Sequence, residues 1–437
     1  MPLYFDNAAT SHPKPEEVYQ ACDLALRFGG NPGRGAHSVS FAAATRQFES
    51  RHDIAQFLGI EDSSRLIFTS GCTAAINLVL NGMVGAARLK AGDTVLTSAF
   101  EHNAVMRPLK AIADQFGLKL VVVPPLKAHS SSSDNYFSAL VDLERLEILL
   151  AEHKPALCLL TRASNVTGQI LDLPAVAAVI ARHCAHSGNL VPLLIDAAQS
   201  AGVVTEQLDS AGASSVVSFW VASGHKGLLG PSGIGLLYVR EGEVLNPPLR
   251  GGTGSRSESF SMPEALPDRL EPGSPAVHLA CGVAAGVRYL QSRPGSSGSV
   301  RKHETLLSQH FLRGLAKLNS LAKEVSRAQR AHIEVVGRPH WNLDLAEEPQ
   351  LELLDGYLPT FSLRFVDKDA LAITPDIVAQ KLDIDFGIAT RPGLHCALLA
   401  HQTLGTVVQG LLRVSFGYYN SFEEVDLLLA ALAEVST

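Results

Sequence analysis

Seven short, continuously apolar runs dominate the first two thirds of the chain: Leu66–Thr69, Thr94–Thr97, Leu118–Pro124, Ala156–Thr161, Leu190–Ile195, Val216–Trp220 and Ile234–Val239. Stretches with helical patterning separate them. A strand that faces water on one side alternates apolar and polar residues. A run without alternation fits a parallel strand covered by helices on both faces. The pattern predicts an α/β fold built on a mostly parallel seven-stranded sheet. In open sheets of this kind, ligands bind beyond the carboxyl ends of the strands. Small or polar residues follow several runs at once: Ser70-Gly-Cys-Thr73, Ser98-Ala-Phe-Glu-His102, Asp196-Ala-Ala-Gln199 and Ala222-Ser-Gly-His-Lys226.

The texture changes after about residue 280. A helical stretch, Val277–Leu290, leads into a breaker-rich segment, Arg293–Ser299, and an amphipathic helix closes the chain at Glu423–Val435. These features predict a second, smaller α+β domain. The expected division is 17–285 for the large domain, with 1–16 and 286–437 forming the small one. Ala128–Asn135, with its run of serines, is expected to be a surface loop. A chain of 437 residues, 46% hydrophobic and 18% charged, is long enough for two such cores. The net charge of −7 comes without any basic block, which argues against a nucleic-acid partner. No apolar run reaches the ~18–20 residues of a membrane span. The N-terminus lacks the basic and apolar regions of a secretory signal. The expected location is the cytoplasm, where the six scattered cysteines would be free thiols.

Four motifs carry chemistry, and each has a plainer reading. Lys226 could be an ordinary loop cation, yet a Schiff-base lysine needs small neighbours and a strand-end position like this one. Asp196 could be a helix N-cap. It is also where an acid would pair with a pyridinium nitrogen and make a cofactor ring an electron sink, with Gln199 in reach of a ring oxygen. Ser70–Thr73 could be a simple capped turn, or a phosphate cup at a helix N-terminus. His102 could be a structural hydrogen-bonder or could stack on a ring.

The order and spacing of these pieces resemble fold-type I pyridoxal-phosphate (PLP) enzymes of the class V aminotransferase family. Within that family they are similar to cysteine desulfurases of group II, the branch with selenocysteine-lyase-like members. The resemblance covers Tyr4–Thr10, Asn31–His37, Glu101–Asn103, Ser164–Gly168, Asp196–Gln199, Ser223–Lys226, Arg391–Ala397 and Arg413–Phe416. It implies that Lys226 carries PLP, Asp196 pairs the ring nitrogen, Gln199 contacts the ring oxygen and His102 stacks on the ring. Cys72, Thr73, Ser223 and His225 would lie at the cofactor, with Ser274 reaching the phosphate across a dimer interface where relatives usually carry Thr. Asn165, Arg413 and Arg391 would hold the substrate carboxylate; an arginine can grip it bidentately.

Cys396 separates the reaction types. It could be a small residue in a Gly/Pro loop. A metal reading through His395, Cys396 and His401 has only three ligands at irregular spacing. As a nucleophile favoured by Arg391 and His395, it would take sulfur from cysteine as a persulfide and leave alanine. The resemblance implies this role, a homodimer and a sulfur-acceptor protein. The alternatives are an aminotransferase or β-lyase that does not use Cys396, or a PLP-binding scaffold without turnover.

Overall fold

The computed structural model describes residues 2–33, 35–127, 137–209, 216–292, 297–324, 331–338, 354–366 and 372–436. The serine-rich segment, Arg34 and residues 293–296 of the breaker-rich segment lie outside the described residues. All seven apolar runs become strands of one sheet, in the order Leu66–Thr69, Gly235–Val239, Val217–Ser223, Leu193–Asp196, Leu157–Thr161, Thr94–Ser98, Lys119–Val123. Six strands point the same way, and Gly235–Val239 runs antiparallel between two of them. The central strands are buried along their whole length, which is why their sequences carry no polar alternation. The run at Leu190 starts its strand only at Leu193: Leu190 is 84% exposed, and Pro192 has no N–H to give a ladder.

A second sheet is wholly antiparallel, ordered His332–Val335, Thr360–Val366, Leu411–Ser415, Arg391–Gly393, with Ala372–Ile373 also pairing Thr360–Val366. Its core joins Phe361, Phe365 and Val414 to Phe311 of the helix Ser297–Glu324 and Leu428 of the helix Phe422–Val435. Phe5 belongs to the same core, because Leu3–Tyr4 pairs in parallel with Ile388–Ala389. We propose that the two cores correspond to units 17–285 and 1–16 with 286–437. The helix Val277–Ser292 crosses that boundary and buries Ala280, Val283 and Val287 in the core of the large sheet.

Candidate active site

The parallel strands deliver Thr69, Ser98, Thr161, Asp196 and Ser223 to one edge of the large sheet. Register fixes their order: Thr161 lies opposite Asp196, Asp196 opposite Val221, and Gly235 opposite both Ser223 and Thr69. The turns that follow carry the chemistry. The Lys226 turn packs backbone to backbone on the turn after Gln199. Gly202 has φ +86°, and a Cβ there would overlap the Gly227 carbonyl, so glycine alone permits the approach.

Lys226 is part-buried, and that burial lowers its pKa from the ordinary 10.5, opposed by nearby Asp196 and Cys72. Such an amine is readied as a nucleophile. Asp196 is 4% exposed. Burial raises its pKa, while the Ala198 N–H, Lys226 and Cys72 pull it back down. Its Oδ1 accepts from Ala198 N at 2.9 Å and lies 3.5 Å from Cys72 Sγ.

His102 caps the helix Asn103–Phe116, with Nδ1 accepting from Ala104 N at 2.9 Å. Burial, with Lys226 and Arg413 nearby, holds its pKa down to about 4. The ring is therefore neutral at physiological pH, with the proton on Nε2. The preceding residue, Glu101, is fully buried and raised to about 8 by that burial, against donors Ser98 Oγ at 2.6 Å and Thr161 N at 2.8 Å.

The helix Cys72–Gly85 starts at Gly71 with no side-chain cap, so its first amides stay open to an anion. His225 Nδ1 is buried and unpartnered among the described residues. An open helix start, an orphaned imidazole nitrogen, a buried acid and a depressed lysine within one strand edge fit PLP: phosphate, ring nitrogen and aldehyde each find a suitable group. Thr73 is exposed at the helix start. Ser274 is also exposed, on a cleft of about 1380 Å³ that includes Thr69, Ser70 and Ala74. Gln199 turns its Nε2 to the Ala8 carbonyl at 3.0 Å.

On the other side stands the loop of Cys396, whose side chain is exposed. Arg391 Nη2 lies 4.0 Å from its Sγ. His395 gives no second positive charge. Its ring is buried, Nε2 meets the Arg391 carbonyl at 3.0 Å, and burial pushes its pKa well below 6.5. Of the two cations expected beside Cys396, Arg391 alone stands there charged. His395 and Cys396 have φ of +49° and +56°, a left-handed pair costing roughly 1–2 kcal/mol per residue. Side chains and backbone hold it in place: Asn165 Nδ2 donates to the His395 carbonyl at 2.7 Å, and Asn103 N to the Cys396 carbonyl at 2.7 Å. His395 and His401 stand 5.5 Å apart, and among the described residues no group of three His, Cys, Asp or Glu could hold a metal.

Arg413 is 2% exposed. It donates to Asp6 Oδ1 at 2.7 Å and to the Asn165 carbonyl at 3.2 Å, leaving a buried Nε that has no partner among the described residues. Two roles were not foreseen from the sequence. Asp6 balances Arg413. Lys14 Nζ donates to the His225 carbonyl and to Ser11 Oγ, both at 2.7 Å, and burial lowers its pKa to about 8. Both residues lie in or beside a quoted N-terminal motif, but their partners are more than two hundred positions away.

Fold and site together define a PLP-dependent enzyme of fold type I. The sequence model for aminotransferase class V matches residues 3–346 and 367–428. The chain belongs to the class V aminotransferase family. A probable cysteine desulfurase of Vibrio cholerae is 31% identical, covering 98% of this chain and 92% of the relative. One from Pyrococcus abyssi is 30% identical, covering 99% and 94%. Among solved structures, the apo cysteine desulfurase of Thermococcus onnurineus superposes with TM-score 0.79 at 29% identity, covering 100% of this chain and 94% of that one.

Proposed function

We propose that this chain is a cysteine desulfurase that takes sulfur from L-cysteine onto Cys396 and releases L-alanine. The observation that carries the reading is the placement of Cys396: an exposed thiol on a loop whose backbone is bonded to Asn103, the neighbour of His102, and to Asn165. The names of the similar proteins support the same activity.

PLP, when bound, supplies an electron sink for bond changes at the substrate's α- and β-carbons. Lys226 would hold it covalently, Asp196 would face its ring nitrogen, Gln199 the ring oxygen, and neutral His102 its face. Cys72, Thr73, Ser223, His225 and Ser274 would lie around the phosphate and ring edge. Arg413 would hold the substrate carboxylate, together with Arg391 and Asn165. The Cys396 thiolate attacks the substrate sulfur, forming an S–S bond. The Cβ–S bond breaks, its electron pair stays with carbon, and that carbon takes up a proton. Arg391 Nη2, 4.0 Å from Cys396 Sγ, is the cation beside the attacking sulfur.

Selenocysteine is a proposed second substrate, since a selenolate leaves more readily. The proposed assembly is a homodimer in the cytoplasm. Leu24, Leu26, Phe41 and Phe48 leave exposed apolar surface on the helices Glu16–Arg27 and Ser38–Phe57, an arrangement typical of an interface. Among the described residues no helix is long and apolar enough to cross a membrane. A sulfur-acceptor protein would meet Cys396 from solvent.

The test is incubation of the PLP-loaded protein with cysteine, measuring alanine and protein-bound persulfide. Wild type should give both. Cys396→Ser should keep the cofactor spectrum and its response to cysteine, give no persulfide and lose alanine release by on the order of 10²-fold or more, because a hydroxyl is a poor nucleophile near neutral pH. Alanine at the wild-type rate from this variant would overturn the reading in favour of a lyase. A keto-acid product would favour an aminotransferase.

A further inference from the structure

Cys72 opens the helix Cys72–Gly85, yet its side chain leaves the phosphate end and crosses toward the ring-nitrogen end. Its Sγ lies 3.5 Å from Asp196 Oδ1, the same oxygen that takes the Ala198 N–H at 2.9 Å. Asp196 Oδ2 carries no hydrogen bond among the described residues, although the residue is 96% buried by its 4% exposure. Ser223, the last residue of the strand Val217–Ser223, also hydrogen-bonds this sulfur. The backbone makes this convergence possible. Gly235 lies so close to Gly71 and Cys72 that a Cβ on it would overlap them, which draws the helix start over the sheet edge.

We infer that Cys72 is a positioning residue: its S–H holds Oδ1 of Asp196, so that Oδ2 alone is presented to the cofactor's ring nitrogen. Burial, reinforced by Asp196, keeps the thiol protonated, so the sulfur is the donor in this contact. A thiol is a weak donor. It orients the carboxylate without taking much of its negative charge, which the pyridinium needs. Lys226 and Glu101 also face Asp196, but neither bonds Oδ1. The inference rests on the PLP reading, and its test is arranged to fail separately from it.

Infrared difference spectroscopy of the cofactor-free protein, wild type minus Cys72→Ser, isolates the Cys72 S–H stretch in a window free of other protein bands. A band displaced to the hydrogen-bonded position, moving toward the free-thiol position in Asp196→Asn, is the expected result. A free-thiol band in both backgrounds overturns the inference whatever the protein binds. In the PLP-loaded enzyme, Cys72→Val removes the donor and leaves an apolar side chain in its place. Its kcat should fall about two- to tenfold below that of Cys72→Ser with little change in KM, the scale of one weak hydrogen bond. Equal kcat for the two variants also overturns it. Cys72→Ala replaces the valine variant if that one does not fold. Failure to bind PLP at all would overturn the underlying reading and leave the infrared result standing.

Discussion

One oxygen of Asp196 is engaged by the chain itself, and the other has no partner among the described residues. A buried acid in that state needs a cation to face, and a pyridinium is such a cation. Asp196→Asn keeps the shape and removes the charge. It should still bind PLP, with kcat reduced on the order of 10²–10³-fold, the scale seen when one preorganised electrostatic contact is removed. Near-normal turnover, measured as alanine release, would reduce Asp196 to a structural role. His102 works differently. With a pKa of about 4 it does not titrate near neutrality, so it offers a flat neutral face and an Nε2–H, not a charge.

At the scale of elements, the strand Gly235–Val239 and the helix Cys72–Gly85 are locked at one point. Gly235→Ala would push a methyl into the Gly71–Cys72 backbone. It should destabilise the fold by about 1–3 kcal/mol and weaken PLP binding at the phosphate end, read by cofactor titration; unchanged affinity would mean that the helix start is free to move. The helix Ser297–Glu324 holds a second strained group. Glu304 is 5% exposed, its Oε2 has no partner among the described residues, and burial raises its pKa to about 8 despite Arg301 nearby. An acid whose folded pKa lies above its ordinary 4.5 binds a proton more tightly in the folded state. Its contribution to stability is therefore present at acid pH and lost as pH rises through about 8. Glu304→Gln should flatten that loss: relative to wild type, the variant gains stability between pH 5 and pH 8, read by denaturant unfolding at both values. A difference that runs the other way would mean that Glu304 is ionised and paired.

Across the whole molecule, the N-terminal segment joins the two sheets at the site. Phe5 and Ala8 bond Ser415, Asp6 pairs Arg413, and Thr10, Ser11 and Lys14 hold the carbonyls of His225 and Lys226. The Lys226 turn and the Arg413 strand are thus positioned by the same ten or so residues. Asp6→Ala leaves the buried Arg413 without its carboxylate, keeping the Asn165 carbonyl as acceptor. It should destabilise the protein by about 3 kcal/mol, the low end for breaking a buried pair because Asp6 is partly exposed. The same change should raise KM for cysteine as the guanidinium shifts. A variant with unchanged melting and KM would show that Arg413 is held without Asp6.

The sequence by itself determined the large sheet. Runs such as Leu157–Thr161 and Val217–Ser223 are buried at every residue and carry no polar alternation, because both faces are covered, and that signal is local. It also placed Lys226 and Asp196, since strand-end residues point where a parallel sheet opens. It singled out Cys396 beside Arg391 and His395, and the family resemblance implied its role as sulfur acceptor. Tertiary structure alone decided the pairings. Asp6 meets Arg413, Lys14 meets His225, and Cys72 turns from the phosphate end to Asp196. His395 looked like a cation beside Cys396 but is buried and neutral. Charge state and hydrogen-bond partner depend on desolvation and on residues hundreds of positions away, and no local pattern encodes either.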